Sequence, residues 1–112
     1  MSYNQQLADL IRAALTDVAE VEEKDRMGGR SFMVRGKLCL RATGDDLMLG
    51  CNPDDTERFL TQSGVRRFTM KGKPTMKGWL LLGPEVWSNP KAFAHWIAIA
   101  LEWNRKLTTT HS

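Results

Sequence analysis

Two cysteines and two histidines are all that the 112 residues hold of thiolate and imidazole metal ligands, and neither pair stands in a ligand spacing. Chelation needs several such groups converging, but there is no CxxC or HxxxH, His95 falls mid-helix and His111 falls in the tail. No metal site is expected. Also missing is any apolar run near the ~20 residues that cross a bilayer. The opening "MSYNQQLADLIRAAL" lacks the basic start and long apolar stretch of a secretion signal; the cytoplasm is therefore the expected location, with no membrane partner. The glycine pair in "MGGR" precedes a strand and matches neither GxGxxG before a helix nor a Walker loop, so no nucleotide or other cofactor is expected. Acids are missing from one long stretch. Residues 58–84 carry Arg58, Arg66, Arg67, Lys71, Lys73 and Lys77 without a single Asp or Glu, while acids crowd into residues 1–25 and 45–57. Such blocking attracts phosphates, yet it equally suits basic strands facing acidic helices.

What is present describes an ordinary globular chain, 42% hydrophobic and 26% charged with a net charge of +3. Its length suits one domain over residues 1–112, with the tail 108–112 expected to fray. From Asn4 to about Val21, Leu7, Leu10, Ile11, Ala14, Leu15 and Val18 recur at three- and four-residue spacing, which predicts an amphipathic helix. "EEKDRMGGR" follows as a charged connector. A three-strand meander comes next, "SFMVR", "LCLRAT" and "LMLGC", turning at Gly36-Lys37 and at Gly44-Asp45-Asp46. Pairing Arg35 with Leu38 and Thr43 with Leu47 puts Phe32, Val34, Cys39, Leu47, Leu49 and Cys51 on one face, taken as the core face. The other face holds Met33, Arg35, Leu38, Leu40, Ala42 and Met48 and is still rather apolar. It needs a cover, so Met33, Leu38, Leu40 and Met48 are the candidate protein interface, for a partner or for self-association.

"NPDDTERFLTQSG" predicts a short helix with Asn52 as N-cap, Pro53 at its first position and Gly64 as its stop. Two strands follow, Arg67 to Met70 and Met76 to Leu82, around the loop Lys71 to Thr75. Asn89 and Pro90 repeat the capping pattern and open a helix to about Leu107, with a wide apolar stripe of Phe93, Trp96, Ile97, Ala100, Leu101 and Trp103. The predicted order is α-β-β-β-α-β-β-α, an α+β fold of helices on a mostly antiparallel sheet.

Candidate chemistry is sparse. Cys39 and Cys51 stand directly opposed in the assumed register, which admits a redox pair, but two small buried hydrophobes explain them as well. The acid pairs Glu22-Glu23, Asp45-Asp46 and Asp54-Asp55 sit at turns or helix ends, where acids are expected for structural reasons. No catalytic residue is assigned, and an enzyme is only a second alternative. The basic hairpin is the other candidate. With Phe68, Met70, Met76, Leu80 and Leu82 inward, Arg67, Thr69, Lys77 and Trp79 share the outer face, and Lys71 and Lys73 mark the tip. Arg67, Lys71, Lys73, Lys77 and Trp79 would then form a phosphate-tracking ribbon with one stacking ring. Lysines that keep an edge hairpin from pairing with other chains are the structural alternative.

Four segments in order, "EKDRMGGRSFMVRGKLC", "DDLMLGCNPDD", "GVRRFTMKGKPTMKGWLLL" and the final tryptophan-bearing helix, resemble the TfoX N-terminal-domain family of competence regulators, also called Sxy, from about residue 8 to residue 107. Two details depart from the family pattern: Arg26-Met27 stand where it has Met-Phe, and Thr75 interrupts its Pro-Met step. The resemblance implies a secretion-chaperone-like α+β fold, a binding or dimerising role and no known catalytic activity. It also implies that Gly36, Lys37, Gly72, Lys73, Pro74 and Gly78 belong to shared hairpin patterns. The expected function is a non-enzymatic interaction module, a transcription or competence co-regulator acting through protein contacts, with direct nucleic-acid binding through the hairpin 66–79 as the alternative.

Overall fold

The computed structural model describes residues 3–26, 28–68 and 77–109. The first helix, α1 (Gln5–Ala14), begins where Asn4 Oδ1 accepts the Leu7 N–H at 3.0 Å. It buries Leu7, Ala8 and Ile11 and ends at Ala14, earlier than its periodicity suggests. Residues beyond it turn into β1 (Val21–Arg26), followed by β2 (Gly29–Val34), β3 (Lys37–Thr43) and β4 (Asp46–Gly50). A turn of 3-10 helix, Pro53–Asp55, leads into α2 (Thr56–Phe59), then β5 (Val65–Arg67), β6 (Trp79–Leu82), α3 (Pro84–Trp87) and α4 (Pro90–Thr109). The caps expected at Asn52 and Asn89 form: Asn52 Oδ1 accepts the Asp54 N–H at 2.9 Å, and Asn89 Oδ1 accepts those of Lys91 and Ala92 at 2.9 and 3.1 Å. Helix α4 runs past residue 108, where fraying was expected, to Thr109.

All described strands join one antiparallel sheet in the order β1-β2-β3-β4-β6-β5. The fold is thus α+β, as expected, with an additional edge strand where a connector was predicted. Residues 21–26, "VEEKDR", show no apolar alternation because an edge strand can carry charge on both faces. Its helix side is an ion-pair seam. Arg12 of α1 bonds Glu23 through both Nε and Nη2 at 2.7 Å, and Arg30 of β2 reaches Glu23 at 2.9 Å and Asp25 at 2.7 Å. Arg12, with Arg30 behind it, holds the Glu23 carboxyl below the ordinary carboxylate range. A depressed folded pKa means stability that is present above the unfolded value, roughly 4.3, and lost as pH falls through the folded value. Glu23→Gln should therefore flatten the loss of stability between about pH 5 and pH 3, read from urea midpoints across that range.

A β-bulge corrects the predicted faces. Phe32 pairs with Leu40 but Met33 pairs with Leu38, so Cys39 is skipped in the ladder and the side-chain alternation of β3 shifts by one residue. Cys39 and Leu40 consequently both point toward the helices: Cys39 Sγ donates to the Ala100 carbonyl of α4 at 3.6 Å, and Leu40 is 0% exposed. Leu40 and Ala42 belong to the core, not to the outer face on which they were placed, and Leu40 drops from the candidate interface. The register between β3 and β4 is also one residue from the expected one, Thr43 opposite Asp46, so Cys39 and Cys51 are not cross-strand partners. Both cysteines are free and buried.

The core lies between one face of the sheet and the helices. Phe32, Val34, Leu40, Leu47, Leu49, Leu80 and Leu82 from the sheet meet Leu7 and Ile11 of α1, Phe59 of α2, Trp87 of α3 and Trp96, Ile97 and Ala100 of α4. Trp87 Nε1 donates to the Asp45 carbonyl at 2.9 Å, and Asn104 Nδ2 donates to the Val34 carbonyl at 3.0 Å, tying α3 and α4 to the sheet. The entry into β6 is gripped from two sides. Gly78 donates its N–H to the buried Thr56 Oγ1 at 2.8 Å, and its carbonyl accepts the Cys51 N–H at 2.8 Å. Its φ of 89° and the Cys51 oxygen 3.2 Å from where a Cβ would sit make glycine the fitting residue.

Candidate functional site

Every helix contributes its buried side chains to the same face of the sheet. Among the described residues, the opposite face has no helix packed on it. Register places Met33 and Leu38, then Met48 and Leu81, and Gly50 with Trp79, on that open face. Met33, Leu38, Leu81 and Trp79 are half-buried and Met48 is 5% exposed. These side chains form an apolar band across β2, β3, β4 and β6. The Trp79 ring lies over Gly50, 3.2 Å from where a Cβ would stand, so the aromatic fills the space a side chain would take.

The same arrangement explains the glycine pair that ends the β1–β2 turn. Gly28 has φ 79°, as the turn requires. At Gly29 a Cβ would stand 2.6 Å from Arg41 Nη2 and 2.8 Å from the Ala42 carbonyl oxygen. Without it, the Arg41 guanidinium lies down across β2, donating to Ser31 Oγ at 2.7 Å and to the Arg26 carbonyl at 2.6 Å. Gly29 of the pair therefore serves the packing of Arg41 on the open face. Arg66 adds a second guanidinium there, ion-paired with Asp46 at 2.5 Å.

Among the described residues of the predicted basic ribbon, Arg67 and Trp79 do not share a face. Val65, not Phe68, is the inward residue of β5, opposite Leu82, and alternation then sends Arg67 to the helix side of the sheet opposite Leu80. There it ion-pairs with Glu57 at 2.9 Å. Trp79 points to the other face, so Arg67 and Trp79 are separated by the sheet. Lys77 is exposed in the turn before β6. Lys71 and Lys73 lie outside the described residues, as do Thr69, Met70 and Met76. Arg66, and not Arg67, is the arginine that shares the face of Trp79.

Other chemistry is limited. Burial pushes the Cys39 thiol up to about 12 and raises that of Cys51, where a contact with Thr56 works in the opposite direction. Neither is poised as a thiolate nucleophile. A groove of about 380 Å³ runs between α2 and α4, floored by Phe59, Ala98, Ile99 and Trp103. Its acids are engaged: Asp55 pairs with Arg58 at 3.1 Å, and Glu102 pairs with Arg105 at 2.6 Å, which holds the Glu102 carboxyl below the ordinary range. Trp103, expected in the buried stripe of α4, stands half-exposed in this groove, while Trp96 packs edge-on against Phe59 with ring centroids 5.2 Å apart. Among the described residues no three His, Cys, Asp or Glu side chains converge as metal ligands. No helix there is long and apolar enough to cross a membrane.

No curated protein matches the sequence. The sequence model of the TfoX N-terminal domain matches residues 4–103, which takes in every strand, α1 to α3 and most of α4. With nearly the whole chain covered, this protein belongs to the TfoX N-terminal domain family.

Proposed function

We propose that this domain is a non-enzymatic interaction module of a competence- or transcription-type regulatory system, and that it acts through protein contacts on the open face of its sheet. The observation that carries this reading is the one-sided placement of the helices, which leaves Met33, Leu38, Met48, Leu81 and Trp79 as a contiguous apolar band. Apolar surface of this kind, rimmed by charge, is typical of a docking site. The non-enzymatic reading is supported by the groove, whose carboxylates are ion-paired, and by thiols raised above the usual range. Nucleic-acid binding through Arg67, Lys71, Lys73, Lys77 and Trp79 is the weaker reading, since Arg67 is turned away from Trp79 and bound to Glu57.

Pull-downs from the native cell extract, with wild type and with Met33→Glu and Leu81→Glu as baits, separate these readings. Both positions are half-exposed, so the variants should keep the wild-type circular dichroism spectrum. Each should lose at least about tenfold of the captured protein, as expected for an anchor at the centre of an interface. Unchanged capture, or recovery of nucleic acid that Lys77→Glu abolishes, would count against the proposal.

A further inference from the structure

We infer that the open face receives an acidic amphipathic helix of a partner protein; this rests on the reading of that face as a docking surface. Charge is the first argument. Lys24 and Arg26 of β1 lie opposite Ser31 and Gly29, and with Arg41 and Arg66 they outnumber the acids of the same face, Glu22 and Asp46. Asp46 is already tied to Arg66. Arg66 and Asp46 balance each other, so the excess of bases lies on the β1 side of the apolar band, where Lys24 and Arg26 outnumber Glu22, complementary to an apolar stripe edged by Asp or Glu.

The pattern also disfavours a second copy. One cross-strand row reads Lys24, Ser31, Arg41, Met48, Leu81, Arg66. A two-fold axis along the strands would set Lys24 of one copy over Arg66 of the other. An axis across the strands, along this row, would set Lys24 on Lys24 and Arg41 on Arg41. The axis along the row sets like charges together, which counts against that isologous arrangement.

A nucleic-acid strand fits less well. Platforms for single strands offer successive aromatic rings, but the band here is Met33, Leu38, Met48 and Leu81 with a single ring, Trp79, seated over Gly50. Flexible methionine and leucine side chains suit the leucine stripe of a helix instead. The dimensions agree. Five inter-strand gaps of ~4.8 Å make a face about 24 Å wide, close to the length of a four-turn helix laid across the strands.

The test uses two designed helical peptides of about 18 residues with the same leucines at i, i+3, i+4 and i+7, one flanked by Glu and one by Lys, titrated at low salt by calorimetry and methyl NMR. The Glu peptide should bind at least about tenfold more tightly than the Lys peptide. It should shift the methyl signals of Met33, Met48 and Leu81 and the indole signal of Trp79. The exposed double variant Lys24→Glu with Arg26→Glu should abolish or invert that preference. Equal affinity of the two peptides, with shifts still on this face, would overturn the acidic helix and leave the docking face standing. Shifts confined to the α2–α4 groove, or no binding by either peptide, would overturn both. Displacement of the Glu peptide by a deoxythymidine 12-mer, or sedimentation as a dimer that Leu81→Glu dissociates, would replace the helix by those occupants.

Discussion

Leu40→Glu should leave the domain largely unfolded, while Met33→Glu should shift its melting temperature by no more than roughly 5 °C. The two residues are both apolar, lie on paired strands and were assigned to one face by simple alternation. The bulge at Cys39 separates them. Leu40 pairs with Phe32 and Leu49 inside the core at 0% exposure, whereas Met33 pairs with Leu38 on the open face. Truncating a buried leucine alone costs about 2–5 kcal/mol, and a carboxylate without a partner adds several more. Together these approach the whole stability of a small domain, about 5–15 kcal/mol. At Met33 the carboxylate stays in contact with water. Circular dichroism and urea titration of the two variants decide the matter. A folded Leu40→Glu beside an unfolded Met33→Glu would mean that the faces are exchanged.

Thr56→Val should lower stability by about 1–3 kcal/mol, the cost of leaving a buried donor unmade. Valine reproduces the shape of threonine without the hydroxyl. The lost group is the acceptor of the Gly78 N–H, in a site where Thr56 is 0% exposed. Thr56→Ser keeps the acceptor and loses only a methyl group, costing nearer 1 kcal/mol. Beyond the urea midpoint, hydrogen exchange gives a local reading: the Gly78 amide should exchange about 10-fold or more faster in Thr56→Val than in Thr56→Ser. Equal exchange in the two would show that Thr56 does not hold the start of β6. Through Gly78 this clamp sets where β6 begins and hence that Trp79 falls opposite Gly50.

The legible parts of the fold were those with strong local rules. Asn52-Pro53 and Asn89-Pro90 announce their helices because the side-chain caps and the proline act within three residues. The core side of β4 and β6 follows from period two, since neither strand is interrupted. Three features were hidden for physical reasons. Strand β1 carries charge on both faces, its inner acids being matched by Arg12 of α1 and Arg30 of β2, partners that no local alternation reveals. The bulge at Cys39 leaves no mark of its own in "KLCLRAT", yet it moves Leu40 and Ala42 into the core and shifts the partner of every later residue. The third is the side taken by Arg66 and Arg67, which depends on whether Val65 or Phe68 points inward, and tertiary packing chose Val65. Of the candidate interface, Met33, Leu38 and Met48 fall on the open face and Leu40 does not; Leu81, Gly50 and Arg41 join it through pairings that sequence could not supply.

The most direct test of the central claim is methyl and indole NMR of the domain titrated with a partner captured from the native extract. The open-face account predicts perturbations at Met33, Leu38, Met48, Leu81 and Trp79, with the core methyls of Leu40 and Leu47 unmoved. Perturbations centred instead on the Trp103 indole and the Ile99 methyls in the α2–α4 groove would contradict it.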